Sequence, residues 1–98
     1  MKIIKEAIAG TLESSDLLVK VAPNEQGKLD IVVQSEVIKQ FGKQIQQAAA
    51  ETLHRLEISQ ATVIIEDKGA LDYAIRARVQ AAVLRAAALE DIDWGKLS

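Results

Sequence analysis

The first third of the chain alternates apolar and polar residues with the period of two that is typical of β-strands. One such run surrounds Ile8, Gly10 and Leu12, and a second extends from Leu17 to Ala22. The polar segment between them, Glu13-Ser14-Ser15-Asp16, has the composition of a turn. We therefore predict an antiparallel hairpin with this segment at its tip.

The register of this hairpin follows if the apolar residues of both strands share one face. With a four-residue loop, the facing pairs are Leu12 with Leu17, Gly10 with Val19, and Ile8 with Val21. A shift by one residue would turn the apolar set of one strand to the solvent, so a three-residue loop is disfavoured. Because Ser-Ser suits a two-residue primed turn poorly, the pattern favours a four-residue loop around a type I turn.

The middle of the chain changes from strand to helix periodicity. Pro23 to Gly27 marks a turn, and a third strand is predicted from Lys28 to Gln34. Apolar residues then recur at three- and four-residue steps from Glu36 to Glu57, which predicts an amphipathic helix. Ser35 is a suitable N-cap for that helix.

The remaining part adds one strand and one helix. A near-continuous apolar run at residues 61–65 predicts an interior strand. Asp67-Lys68-Gly69 ends this strand and opens a helix from about Ala70 to Ala88. The apolar stripe of that helix consists of Leu71, Ile75, Val79, Ala82, Val83 and Ala86. The order βββαβα predicts an α+β fold, an antiparallel-rich four-stranded sheet with two helices packed on one face.

The length and composition fit one globular domain. We expect the 98 residues to form a single domain, with 89–98 as a loosely ordered C-terminal tail that includes Trp94. A net charge of −2 and an aromatic content of 3% argue against a nucleic-acid partner. Because there is no cysteine and no run of about 18 apolar residues, we expect a cytoplasmic protein without a membrane partner.

The chain lacks the residue groupings that catalysis needs. His54 is the only histidine, and it lies within the first predicted helix. A lone histidine at such a position is far more often a surface residue than a catalyst, and zinc binding would require further ligands. Without a nucleophile next to a base, a metal cluster or paired carboxylates, the chain is predicted not to be an enzyme.

Two features have both a structural and a functional interpretation. Arg76, Arg78 and Arg85 flank the apolar stripe of the second helix. They would form either a solvated face or a docking surface for an acidic partner or a phosphorylated arm. The segment Glu13-Ser14-Ser15-Asp16, taken alone, is an ordinary polar turn.

Two motifs together resemble a known family. The first is Ala9-Gly10-Thr11-Leu12-Glu13-Ser14-Ser15-Asp16, and the second is Asp67-Lys68-Gly69-Ala70-Leu71-Asp72 followed by Ile75-Arg76-Ala77-Arg78. With the length and the element order, they resemble the acyl carrier protein, or gamma subunit, of citrate lyase. The resemblance covers nearly the whole chain, and the motifs are specific as a pair.

The resemblance implies a covalent attachment site at Ser14. In that family, the serine after the glutamate of a Gly-Thr-x-Glu-Ser segment carries 2'-(5''-phosphoribosyl)-3'-dephospho-CoA through a phosphodiester bond. Many relatives have glycine where this chain has Ser15, and we assign the group to Ser14 because it follows Glu13. Glu13 and Asp16 would stand beside the phosphodiester, and we hypothesise that they keep the linker extended or are recognised by the attaching transferase.

The resemblance also implies the partners. The thiol of the arm would carry an acetyl group, which the alpha (transferase) subunit exchanges for citryl. The beta (lyase) subunit would then cleave the citryl thioester to oxaloacetate and restore the acetyl carrier. The chain itself would perform no chemistry and would serve as a tether.

Other functions remain as alternatives. The carrier subunit of malonate decarboxylase is similar and uses the same type of prosthetic group. A non-catalytic interaction or RNA-binding module also fits a sheet backed by two helices. The early serine and the Asp-Lys-Gly-Ala-Leu-Asp segment favour the citrate lyase carrier.

Overall fold

The protein has the predicted element order in a computed structural model that describes residues 1–35 and 41–87. The elements are β1 Ala7–Gly10, β2 Leu17–Ala22, β3 Leu29–Ser35, α1 Phe41–Arg55, β4 Ala61–Asp67 and α2 Asp72–Ala86. The α+β fold is therefore confirmed. The predicted helix start at 36–40 and the predicted tail at 89–98, with Trp94, lie outside the described residues.

The four strands form one mixed sheet in the order β1-β2-β4-β3. The pairs β1–β2 and β2–β4 are antiparallel, and β3 runs parallel to β4. The parallel pair requires a crossover, and α1 lies in the connection between β3 and β4. The interior position predicted for the strand at residues 61–65 is confirmed.

One face of the sheet packs against both helices and forms the core. Inward and outward residues alternate along the strands, as the period of two requires. The largest fully buried side chains come from β2, α1, β4, α2 and the segment after α1, and they include Leu17, Leu53, Leu56, Ile65, Val79 and Val83. Burying each such aliphatic side chain stabilises the fold by about 1.5–3 kcal/mol.

The apolar stripe predicted for α2 is confirmed except at its first position. The buried residues of this helix are Ile75, Val79, Ala82, Val83 and Ala86. Leu71, however, is 63% exposed, because it precedes the helix as its N-cap residue and adopts extended backbone angles. The helical wheel therefore assigned Leu71 to a face on which it does not lie.

The predicted register of the hairpin is wrong by one residue. Ala9 faces Val19 and Ile8 faces Lys20. As a result, Ile8 and Leu12 point away from the helices and are 54% and 52% exposed, whereas Ala9 is buried.

The cause of this register lies in the loop and in the space beneath α2. The amide of Thr11 donates to the carbonyl of Leu17 at 3.1 Å, which continues the ladder and leaves the five residues 12–16 as the loop. An odd loop length turns the other face of β1 inward. Small residues then face α2, and Gly10 has room for no side chain, since its Cβ would lie 1.9 Å from the oxygen of Leu17.

The segment before β1 is also fixed, which the sequence pattern did not predict. Ile3 is buried and pairs with Ala87 in an isolated antiparallel bridge. The amide of Ile4 donates to the carbonyl of Ala86 at 2.9 Å. These contacts join the start of the chain to the C-terminal end of α2.

Replacing Gly10 with alanine tests this packing. We expect Gly10→Ala to lower the free energy of unfolding by about 2 kcal/mol or more, because the new Cβ would collide with backbone at a φ of 96°. The matched control is Gly42→Ala in α1, where no atom lies within 4 Å of the added Cβ. That change should raise the free energy of unfolding by about 0.5 kcal/mol. Urea titrations that give the two changes the same sign would contradict this account.

Candidate functional site

The loop between β1 and β2 carries the serine pair on a defined turn. The amide of Asp16 donates to the carbonyl of Glu13 at 3.2 Å, and Ser15 has a φ of 66°. Positive φ at the third residue of such a turn is typical of type II, so the predicted type I turn is wrong. The turn consists of the four residues 13–16, but the loop between the paired strands consists of the five residues 12–16. The register follows from the length of the loop and not from the length of the turn.

The carboxylate of Asp16 holds the loop in place. It accepts hydrogen bonds from the hydroxyl of Thr11 at 2.8 Å and from the amide of Leu17 at 2.8 Å. The guanidinium of Arg78 donates two more, at 3.1 Å to Oδ1 and 2.8 Å to Oδ2. These contacts, with Arg78 first, lower the pKa of Asp16 from 3.8 to about 2.

The second motif contacts the same loop. The amide of Ser15 donates to the carbonyl of Lys68 at 2.8 Å, and the amide of Lys68 donates to the carbonyl of Asp16 at 2.9 Å. These bonds extend the β2–β4 ladder beyond the Leu17–Asp67 pair. The two motifs that carried the family resemblance are therefore adjacent in space.

Asp67 fixes the backbone that leads into α2. Its carboxylate, 2% exposed, accepts hydrogen bonds from the amides of Gly69 at 3.1 Å and Ala70 at 3.0 Å. It also accepts one from the hydroxyl of Ser35 at 3.1 Å. Ser35, predicted as a helix cap, thus ends β3 and contacts Asp67, while the residues it would cap lie outside the described part.

Ser14 lies at the exposed apex of this assembly. Within residues 1–35 and 41–87, neither its hydroxyl nor the exposed carboxylate of Glu13 forms a hydrogen bond or ion pair. Ser15 is also exposed, and its hydroxyl likewise forms no hydrogen bond within the described residues, although its backbone amide donates to the carbonyl of Lys68. The arrangement presents an unengaged hydroxyl at position 14 on a turn that is held from two sides.

The arginines of α2 brace the fold rather than line a free surface. Arg78 binds Asp16 in the loop, and Arg85 donates to the carbonyl of Ile8 at 2.7 Å. Arg76 forms ion pairs with Asp72 at 2.7 Å and with Glu51 of α1 at 2.9 Å. Both earlier interpretations of these arginines, a solvated face or a docking surface, overlooked these internal contacts.

Sequence reasoning predicted that Ser14 lies on an exposed turn, as it does in the structure, but it did not predict most of the contacts that hold this turn. In the sequence, Arg78 is one of several arginines on a helix face, and 62 residues separate it from Asp16. Thr11 belongs to the first motif, but the motif does not indicate its contacts. Its hydroxyl donates a hydrogen bond to Asp16 and accepts one from the amide of Glu13 at 3.2 Å. No local pattern indicates either contact.

Comparisons with known proteins show the family to which this chain belongs. A family model described as "Malonate decarboxylase delta subunit (MdcD)" matches residues 4–86. A citrate lyase acyl carrier protein of Enterobacter sp. (strain 638) is 63% identical over 100% of both chains. One of Pectobacterium atrosepticum is 62% identical over 99% of this chain and 100% of its own. The chain belongs to the citrate lyase acyl carrier protein family.

A solved structure confirms the fold expected for this family. The chain is similar to one in the crystal structure of a Pseudomonas malonate decarboxylase hetero-tetramer in complex with malonate. The TM-score is 0.72 at 25% identity, over 85% of this chain and 84% of the other. Neither helix in the described part of this chain has the length and apolar character needed to cross a bilayer.

The left-handed backbone of Ser15 predicts opposite effects of glycine at the two serines. Ser15→Gly should raise the free energy of unfolding by about 0.5–1 kcal/mol, because glycine adopts a φ of 66° without strain. Ser14→Gly, at a residue whose φ is not positive, should lower it by about 0.5–1 kcal/mol through the entropy of the unfolded chain. Chemical denaturation of both variants checks this, and a stabilising Ser14→Gly would contradict the assignment of the turn.

The lowered pKa of Asp16 predicts a pH-dependent contribution to stability. Its folded pKa of about 2 lies below the ordinary 3.8, so the contribution is complete above pH 3.8 and is lost as the pH falls through about 2. Asp16→Asn should cost about 1–2 kcal/mol at pH 7, and this difference from the parent should shrink between pH 4 and pH 2.

The control for this prediction is Glu13→Gln in the same loop. It removes a neighbouring charge that has no partner in the described part of the chain, and it should change stability by less than about 0.5 kcal/mol. Urea titrations between pH 2 and pH 7 provide the comparison. A cost of Asp16→Asn that stays constant over this range would show that the ionised carboxylate is not what stabilises the loop.

Proposed function

We propose that this chain is the non-catalytic acyl carrier subunit of citrate lyase, working in the cytoplasm. Ser14 carries 2'-(5''-phosphoribosyl)-3'-dephospho-CoA through a phosphodiester bond. The observation that supports this most strongly is the unengaged hydroxyl of Ser14 at the apex of a braced turn. Family membership supports the carrier role itself.

The residues around Ser14 fit a bulky anionic substituent. The Ser14 side chain is exposed, so a phosphodiester there would displace no packed group. The nearby carboxylate of Asp16 is bound to Arg78, which offsets its charge. The hypothesis that Glu13 and Asp16 keep the linker extended by repulsion is therefore narrowed to Glu13. Of these two carboxylates, Glu13 is the one without a partner among the described residues.

The fold contributes a stiff mount for the attached group. The group itself supplies a thiol that carries acetyl and citryl as thioesters. The chain holds the attachment point through the β2–β4 ladder, the turn and the contact of Asp16 with α2. Linking the acyl group to a docked subunit raises its effective concentration at a neighbouring active site to about millimolar.

The proposed partners are the alpha (transferase) and beta (lyase) subunits and the transferase that attaches the arm. Two findings support a place in such a complex. The curated relatives are carrier proteins of citrate lyase. The similar solved chain comes from a hetero-tetramer.

Mapping the attached group tests the assignment to Ser14. When the chain is produced with its attaching enzymes, intact mass and peptide mapping should place one adduct on Ser14. Ser14→Ala should abolish the adduct and citrate cleavage by the assembled complex, since the proposal assigns the phosphodiester to the Ser14 hydroxyl and not to that of the neighbouring Ser15. Ser15→Gly is the matched control, and it should retain full attachment. An adduct on Ser15, or citrate cleavage that survives Ser14→Ala, would refute the proposal.

Glu13 is proposed to assist recognition by the attaching transferase. Glu13→Gln should slow attachment several-fold and change the free energy of unfolding by less than about 0.5 kcal/mol, because the carboxylate forms no hydrogen bond or ion pair in the described part of the chain. The matched comparison is Glu25→Gln in the next turn, which is also exposed. Rates measured by mass spectrometry that are equal for Glu13→Gln and the parent would end this idea.

A carrier of malonate decarboxylase is the second candidate. The description of the family model and the similar solved chain favour considering it. The sequence identity to citrate lyase carriers, 63% against 25% for that solved chain, ranks it below the first proposal. Reconstitution of the loaded chain with each set of partner subunits distinguishes the two.

A further inference from the structure

A cleft of about 340 Å³ lies between the first half of α1 and the start of α2. Its described lining includes Gln44, Ile45, Asp67, Ala70, Leu71 and Ile75. The volume is within the usual range of about 300–1,000 Å³ for small-molecule sites. None of the functions assigned so far to the hairpin tip uses this cleft.

The cleft adjoins the loop that carries Ser14. Gly69 lines the cleft and directly follows Lys68, whose carbonyl accepts the amide of Ser15. Successive Cα atoms are about 3.8 Å apart, and strand partners are separated by about 5.5 Å. The attachment point at Ser14 is therefore separated from the rim of the cleft by only a few residues, Ser15, Lys68 and Gly69.

The described walls of the cleft are mostly apolar, and their polar side chains are Gln44, Asp67 and Asp72, of which Asp72 is paired with Arg76 at 2.7 Å. Ile45 and Ile75 are buried side chains at its base, and Leu71 stands 63% exposed beside it. The carboxylate of Asp67 is occupied by Gly69, Ala70 and Ser35. The exposed amide of Gln44 forms no hydrogen bond in the described chain, so it offers both a donor and an acceptor.

These properties match a flat heterocycle with a polar edge. Aliphatic side chains can cover its faces, and a glutamine amide can form two hydrogen bonds with the N6 and N7 edge of adenine. The exposed Leu71, which the helical pattern assigned to the core, would gain a partner on one side. A citryl group, which is strongly anionic, would find no cationic side chain among the described lining residues.

We infer that this cleft binds the adenine of the attached arm, an inference that rests on the proposed function. The chemistry of the group fixes the order of its parts from Ser14: phosphate, ribose, adenosine, pyrophosphate and then the pantetheine that ends in the thiol. The adenosine is therefore the first part that can reach a nearby pocket. Gln44 recognises the edge of the base, and Leu71 and Ile75 cover its faces.

Tethering makes a weak site sufficient. An attached base is present near the cleft at an effective concentration of about millimolar, so a dissociation constant in that range gives substantial occupancy. With the adenosine held, only the part beyond the pyrophosphate would swing between partner sites. The carrier would thereby shorten the free linker and lower the entropy lost when the thioester enters an active site.

Proton NMR on the full-length loaded chain tests this placement. The adenine H2 and H8 protons should show nuclear Overhauser contacts with the methyl groups of Leu71 and Ile75. The same methyl signals should shift between unmodified and loaded protein. Contacts from the pantetheine methyl groups in place of adenine, or no contacts at all from the arm, would overturn the inference.

Variants on one helix supply the matched comparison. Gln44→Ala should weaken the adenine contacts and lower the affinity of the unmodified chain for free 3'-dephospho-CoA about fivefold, the effect of one lost hydrogen bond. Gln46→Ala is the control, because Gln46 is exposed on the same helix but does not line the cleft. Equal losses for the two variants would contradict a role of Gln44 in recognition.

The two proposals can fail separately. If mass mapping places the arm on Ser14 but the Leu71 and Ile75 methyl signals do not change on loading, the cleft inference fails and the carrier function stands. If the arm is absent from Ser14, the carrier proposal fails. Free 3'-dephospho-CoA, with pantetheine as the comparison ligand, then tests the cleft on unmodified protein. Binding of pantetheine alone would refute an adenine site.

Discussion

The contact between Asp16 and Arg78 joins the hairpin tip to the helix that covers it. One carboxylate accepts two hydrogen bonds from the guanidinium, one from Thr11 and one from the amide of Leu17. With its side chain only 17% exposed, it retains much of the strength of these charged hydrogen bonds. The direction in which Ser14 projects depends on this contact, because both ends of the turn are tied to Asp16 or to its neighbours.

The same contact explains why Ala9 and Gly10 of β1 are small. Arg78 reaches Asp16 across the end of β1, and its Cδ would lie 3.3 Å from a Cβ at Gly10. A larger residue at Gly10, or at the buried Ala9, would push α2 away from the sheet and lengthen the ion pair. The position of the serine therefore depends on the register of the hairpin, and both depend on how closely α2 packs against β1.

Periodicity predicted the element order, the layering and the interior place of β4, because those features depend on patterns within each segment. It did not predict the register of β1, where clearance beneath α2 outweighs the burial of Ile8 and Leu12. The exposed turn at Ser14 was predictable from polar composition. Its brace was not, since Arg78 looks like any helix-face arginine until the tertiary fold brings it to Asp16.

The account rests on a serine tip that is rigid before any group is attached. Backbone ¹⁵N relaxation measures this directly, with rigid amides giving order parameters of about 0.85 and flexible ones below about 0.6. We predict rigid values for Ser14 and Ser15 in the unmodified chain and flexible values in Arg78→Gln. Flexible values in the parent chain, or rigid values that survive Arg78→Gln, would contradict the account.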